Sequence, residues 1–267
     1  MVDVAITLPN FVRDPAVALD IARRADATES IAAVFGYDHL FRVARDGTRR
    51  PAIECFALLS AVAASTHRVR LGALVARASM RPPAVLAANV ATLGRIAGSR
   101  VVAGLGAGDG ESRAENEAFG LGFGSVHERL DELASAVGAV VATGVETWVG
   151  GSAALVGACA ARAGVWNRWG GDAERFASEV RALRSSSPGL RVTWGGLVVL
   201  AVDDESAAAR ARRLGAPASA LVGSPRAVAD RLRAYVHAGA DTVVLAPVDS
   251  SVPDNVALVG AVADALG

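Results

Sequence analysis

The sequence predicts an α/β protein, a closed TIM (β/α)8 barrel forming one domain over residues 1–267. Three observations carry this reading. Strand-like and helix-like segments alternate from end to end, and eight of the former can be counted. The strand-like runs are short and apolar without strict alternation, which is the pattern of strands covered on both faces. The length of 267 residues suits a single barrel of roughly 250. Right-handed crossovers leave a closed barrel or an open doubly wound sheet, and eight units favour the barrel.

In chain order, Val2 to Leu8 reads as a buried strand closed by Pro9-Asn10. Asp14-Pro15 then places an N-cap before a proline in the first helical position, and the helix runs to about Asp26. Ile31 to Tyr37 is the second strand, ending at Asp38-His39, and a loop rich in Arg and Gly follows over Arg42 to Arg50. Pro51 is expected to open a helix that ends near Ser65. Val69 to Val75 is the third strand and Pro83 to about Ile96 its helix. Arg100 to Leu105 is the fourth strand, followed by a glycine-rich turn and a helix over Val126 to Val141. Thr147 to Val149, then a helix over Ser152 to Arg162, and Val165 to Asn167 give the fifth and sixth strands. Asp172 caps a helix to about Leu183. Arg191 to Val202 is the seventh strand, with helices beginning at Asp203 and at Ser224-Pro225, the latter closed by Gly239. Thr242 to Ala246 is the last strand, before a closing helix from about Pro253.

Composition excludes several function classes. Twenty-seven basic residues balance 27 acidic ones, so nothing electrostatic draws the chain to nucleic acid or an anionic membrane. Every basic residue is Arg, and with no lysine a Walker-type phosphate loop, a Schiff base and a pyridoxal enzyme are excluded. Cys55 and Cys159 sit in apolar helical sequence and form no disulfide framework. His39, His67, His127 and His237 are dispersed with no HExxH, so no metal site is expected. Met1-Val2-Asp3-Val4 lacks the character of a signal peptide, and the uncharged stretch Thr147 to Ala161 is too short for a span, so a cytoplasmic protein is expected.

In a barrel, chemistry collects at the strand ends. Asp38-His39 is the most chemical pair there, since a histidine exchanges protons near neutrality; a loop histidine on a solvated rim is the competing reading. Gly104 to Gly110 lets backbone approach a flat or phosphorylated ligand, but Asp109 and Glu111 stand where a dinucleotide fingerprint needs its third glycine. Gly150-Gly151-Ser152, before a helix, is the best phosphate candidate, against a plain helix N-terminus. Gly223-Ser224-Pro225 is read as a structural cap, His67, His127 and His237 as surface residues, and the run Arg210, Arg212, Arg213 as a solvated helix face. Of Trp148, Trp166, Trp169 and Trp194, some are expected in the core and one or two in a ligand wall.

The stretches Phe35-Gly36-Tyr37-Asp38-His39-Leu40, Thr66 to Gly72, Arg100 to Gly108, Trp148 to Ser152, Gly223-Ser224-Pro225 and Ala238 to Asp241 follow one another along nearly the whole chain. The chain carrying them resembles the luciferase-like flavin and deazaflavin oxidoreductases, in particular the branch using coenzyme F420. That resemblance implies a small-molecule substrate, a homodimer and a flavin-like ring at the strand ends. It implies a non-prolyl cis peptide near Ala73-Leu74 and cofactor contacts at Asp38, Ala76, Ala107 and Gly108, with the phosphate at Gly150, Gly151 and Ser152. It makes His39 a proton donor and Asp109, in place of the family's Glu, an acidic acceptor. The sugar-phosphate-binding lysines of relatives have no counterpart, and the loops after the fourth strand and over Val145 to Trp194 are shortened. FMN, with a separate flavin reductase and oxygen chemistry, is the alternative cofactor. A non-catalytic flavin-binding barrel is a third reading.

Overall fold

The computed structural model describes residues 2–43 and 47–267. Eight parallel strands close into a ring. They are β1 (Asp3–Thr7), β2 (Ala33–Gly36), β5 (Arg70–Arg77), β6 (Val101–Gly106), β7 (Glu146–Gly150), β8 (Val165–Trp169), β9 (Arg191–Leu200) and β11 (Ala240–Pro247). Each pairs in parallel with the next, and β11 returns to β1 in the register Val4↔Val243 and Ile6↔Leu245. This is the predicted TIM barrel.

Several elements depart from the expected series. The loop expected over Arg42 to Arg50 holds a two-stranded antiparallel hairpin, β3 (Phe41–Val43) and β4 (Arg49–Pro51), while its residues 44–46 lie outside the described ones. Pro51 therefore ends a strand and opens no helix. Helix α2 (Cys55–Ser65) starts four residues later, where the Glu54 carboxylate accepts from the Ala57 N–H at 2.7 Å. A ninth parallel strand, β10 (Leu221–Gly223), pairs with the far end of β9, beyond its pairing with β8. Three residues are too few for hydrophobic periodicity to show.

The other helices fall close to expectation because their caps are local. Asp14 caps α1 (Pro15–Ala27), Asp172 caps α7 (Ala173–Ser186), Asp203 caps α8 (Asp204–Leu214) and Ser224 caps α9 (Pro225–His237), each accepting a backbone N–H of the first turn. Helices α3 (Pro83–Ala97) and α10 (Asn255–Leu266) start without a side-chain cap. A short helix, α4 (Arg113–Ala118), was not expected. Helix α5 (Val126–Val141) begins with a capping box, Ser125 and Glu128 each bonding the other's backbone N–H. Ser125→Ala should lower stability by about 1 kcal/mol, read as a lower denaturant midpoint at unchanged slope.

Two apolar layers hold the barrel. Inside the ring pack Ala5, Ala33, Phe35, Leu74, Val102, Trp148, Val165 and Val244, with the Phe35 and Trp148 ring centroids 5.2 Å apart. Between ring and helices lies the larger layer, including Ala73, Ala76, Leu71, Leu86, Trp166 and Trp194. The helices thus bury one stripe against the strands, and the interior side chains fill the ring below its C-terminal rim.

Candidate functional site

The C-terminal ends of the strands surround one hollow of about 470 Å³. It is lined by Asp38 and His39 after β2, by Leu74, Val75 and Arg77 of β5, and by Ala107, Gly108 and Asp109 after β6. Gly150, Gly151 and Ser152 after β7 complete this set. Residues as distant in sequence as Asp38, Gly108 and Gly151 therefore share one cavity.

Its floor is built from β5, β6 and β7. The backbone carries a non-prolyl cis peptide at Leu74-Val75, one residue beyond the expected Ala73-Leu74. The register of β5 against β6 breaks between Ala73 and Ala76 at this point. Val75 then lies across Gly106 and Gly150, which are register partners on adjacent strands. A Cβ at Gly106 would come within 2.5 Å of the Val75 side chain, and one at Gly150 within 2.7 Å. No other residue type fits without displacing Val75. Ala73 and Ala76, expected to touch a cofactor, do not line the hollow. Both are buried in the layer between strand and helix; three positions apart, they would face opposite sides of a regular strand, and the register break between them leaves both on the helix side.

Asp38 lines the hollow, but its carboxylate is fully engaged and buried. Arg81 grips it with two bonds of 2.7 and 3.0 Å, and the Arg77 N–H donates at 3.0 Å. Burial works against the Arg81 charge, and the pairing with Asp38 and Glu54 outweighs it, so the guanidinium is held protonated more firmly than usual. Asn10 is also structural: its amide accepts from the Tyr37 N–H at 3.0 Å and donates to the Tyr37 carbonyl at 3.1 Å, fixing the start of the Asp38 turn.

His39 has a partner that the sequence did not show. Its Nδ1 lies 2.9 Å from Oε2 of Glu115 on α4. The other Glu115 oxygen accepts from the N–H groups of Leu40 and Phe41, and Arg77 pairs with Oε2 at 3.0 Å. Burial pushes the Glu115 carboxyl up, but the bonds from His39, Leu40 and Phe41 outweigh it and hold it below the usual carboxylate range. An ionised Glu115 fixes the proton on Nδ1 and leaves Nε2 as the nitrogen able to exchange a proton with the hollow. Arg77 also donates to the Asp38 carbonyl at 3.0 Å and to Asn116 at 3.2 Å, so strand ends and α4 form one buried network.

Asp109, expected as an acidic acceptor, lines the rim, and its carboxylate also caps a turn. Its carboxylate accepts from the Ser112 N–H at 3.2 Å and hydroxyl at 3.1 Å. Asp109 and Glu115 are six positions apart on either side of a helical turn, and no spacing links either to His39 in the sequence. On the opposite wall, Trp169 packs edge-on to Tyr37 at 6.2 Å, and Phe11 lies 5.6 Å from the His39 ring. Burial pushes the Tyr37 phenol up to about 12, so it stays protonated across the neutral range. Of the four tryptophans Trp169 lines the hollow, and Trp148, Trp166 and Trp194 are buried.

Helix α6 (Ala153–Ala163) begins at this hollow with Ser152 in the N-cap position, and the Ser152 side chain makes no cap bond. The first N–H groups of the helix are therefore available to an anion. Elsewhere the expected surface roles hold: His67, His127 and His237 are exposed. Arg210 departs from its expected place on a solvated face: it is turned inward and bonds the Asp249 carboxylate at 2.7 Å. Among the described residues, no cluster of His, Cys, Asp and Glu is arranged to hold a metal, and no helix is long and apolar enough to cross a membrane.

Known proteins share this architecture. An uncharacterized protein of Mycobacterium tuberculosis (strain ATCC 25618 / H37Rv) is 35% identical over 109 residues. The match spans 39% of this chain and only 37% of that relative's length. An F420-dependent secondary alcohol dehydrogenase, solved with an F420-acetone adduct, superposes with a TM-score of 0.84 at 15% identity, over 100% of this chain and 99% of the other. The oxygenating constituent of 3,6-diketocamphane monooxygenase of Pseudomonas putida, solved with FMN, gives 0.73 at 14% identity over 99% and 98%. At such identities the superpositions establish the barrel. The sequence itself goes further: residues 4–163, more than half the chain and the part that builds the floor, the His39 turn and the α6 N-terminus, match the family described as luciferase-like monooxygenase, and the chain belongs to that family.

Proposed function

We propose that this chain is an oxidoreductase that binds coenzyme F420 in the hollow and transfers a hydride between it and a small organic molecule. The observation that carries this is the floor, where the Val75 side chain lies over Gly106 and Gly150 and those two glycines add no side chain of their own. The donor chemistry fits the rest of such a group: Ala107 and Gly108 border the floor, and the α6 N-terminus offers free N–H groups to a phosphate. When bound, the deazaflavin supplies the hydride chemistry. The protein holds the ring against Val75 and keeps Nε2 of His39 at the hollow, with its proton inventory set by Glu115. Deazaflavin is favoured by the motif series over Phe35 to Gly108 and by the fuller superposition on the F420-dependent dehydrogenase.

The second reading is an FMN-dependent monooxygenase served by a separate reductase, which the family match and the FMN-bound Pseudomonas structure favour. A homodimer belongs to either proposal. Titrating the purified protein with F420 and with FMN, followed by fluorescence, separates them. Tighter binding of F420 is the expected result. Tighter binding of FMN moves the assignment to the monooxygenase, and binding of neither leaves a barrel without redox function.

A further inference from the structure

We infer that Asn167 selects the organic substrate by accepting a hydrogen bond from a hydroxyl or N–H group on it; the inference rests on the proposed function and adds to it a residue and a substrate class. Asn167 stands near the end of β8 and is 2% exposed. Its Nδ2 donates to the Thr193 hydroxyl at 2.8 Å. That buried hydroxyl gives its single proton to the Trp166 carbonyl at 3.3 Å, so toward Asn167 it acts only as an acceptor. The amide is thereby held in one orientation. Its Oδ1 bonds to no group among the described residues, yet it is not sealed off, and Asn167 lines the hollow. A nearly buried acceptor without a donor is costly, and native structures rarely leave one unless a bound molecule completes it.

The strand register places this acceptor beside the floor. Gly106, Gly150, Asn167 and Thr193 are partners in one row across β6, β7, β8 and β9. Val75 lies over the two glycines, so Asn167 is the first side chain of that row beyond the surface proposed for the ring. Two positions further along β8, the Trp169 indole lines the same hollow and packs where Gly195 leaves room; a Cβ at Gly195 would come within 2.8 Å of it. The charged side chains of the lining are committed within the protein: Asp38 to Arg81, Arg77 to Glu115, Asp109 to Ser112 and Arg129 to the Gly124 carbonyl. A carboxylate offers only acceptors and cannot complete the Asn167 oxygen, whereas a hydroxyl or N–H can. His39 follows β2, four strands round the ring from β8, so the substrate spans the hollow with its reacting group at Nε2 and a separate donor at Asn167. The class that fits is a neutral molecule with an apolar body against Trp169 and a hydroxyl or N–H at its anchored end.

The test uses three probes that share one ring: cyclohexanol, methoxycyclohexane and cyclohexanecarboxylate. Affinities for the whole protein loaded with F420 are read by ligand-observed NMR in wild type, Asn167→Leu and Asn167→Asp, with F420 affinity measured separately. Wild type should bind cyclohexanol about three- to tenfold more tightly than methoxycyclohexane, the worth of one hydrogen bond, and cyclohexanecarboxylate most weakly. Asn167→Leu should abolish the preference for the alcohol at unchanged F420 affinity, and Asn167→Asp, which keeps an acceptor oxygen in place, should retain it. If wild type binds alcohol and ether equally, prefers the carboxylate or binds none of the three, the inference fails while the proposed function stands. If Asn167→Leu weakens all probes and F420 together, Asn167 only braces β8 against β9 and the inference fails. If wild type does not bind F420, the proposed function fails and the inference with it.

Discussion

Turnover falls by about 10²- to 10⁴-fold when His39 is replaced by Ala, while cofactor affinity stays nearly unchanged. The separation follows from where the parts sit. The floor comes from Val75, Gly106 and Gly150, and the turn into α6 from Gly151 and Ser152, so none of the surfaces that would hold a ring depends on the imidazole. His39 instead presents one nitrogen to the hollow and gives the other to Glu115. Removing it takes away a proton donor or acceptor and leaves the hollow otherwise intact. Single-turnover oxidation of the reduced cofactor, with binding measured separately, checks this. Equal rates in the two proteins would remove His39 from the chemistry.

Glu115→Ala is expected to cost about 3–5 kcal/mol of stability, because it leaves a buried guanidinium without its carboxylate. Arg77 and Glu115 are each 4% exposed and lie 3.0 Å apart. The Leu40 and Phe41 N–H groups lose their acceptor in the same step. The carboxyl titrates below its ordinary range in the folded chain, so its contribution is fully present above the ordinary carboxylate range. It is lost as pH falls through that range toward the lowered folded value. Wild type should therefore lose stability in mild acid more steeply than Glu115→Gln, which has no charge to titrate. Chemical denaturation from pH 7 down to pH 3 measures the difference. Parallel curves would show that Glu115 is not the ionised centre of the network. Glu115→Gln should also move the pH profile of turnover, since an amide no longer holds the proton on Nδ1 of His39.

Some contacts escape any reading of the sequence because they are made across distance. His39 and Glu115 are 76 positions apart, and α4, which carries Glu115, is too short to announce itself by periodicity. Asp109, near a strand end, does line the hollow, and its carboxylate is bonded to Ser112 and makes no bond to His39. The outward turn of Ala73 and Ala76 depends on which face of β5 meets the helices, and a continuous apolar run does not distinguish its two faces. Asn167 looks like any polar residue at a strand end until β9 brings Thr193 beside it.

The chain by itself determined the barrel, the order of its strands, most helix caps and the residues that ring the open end. These follow from local properties: apolar runs, capping side chains, proline and glycine at turns. Only the tertiary structure decided which acid serves His39, where the cis peptide sits, that Trp169 and not its fellow tryptophans lines the hollow, and which way the Asn167 amide points. Those outcomes depend on distances between segments that are remote in sequence, and such distances exist only once the ring has closed.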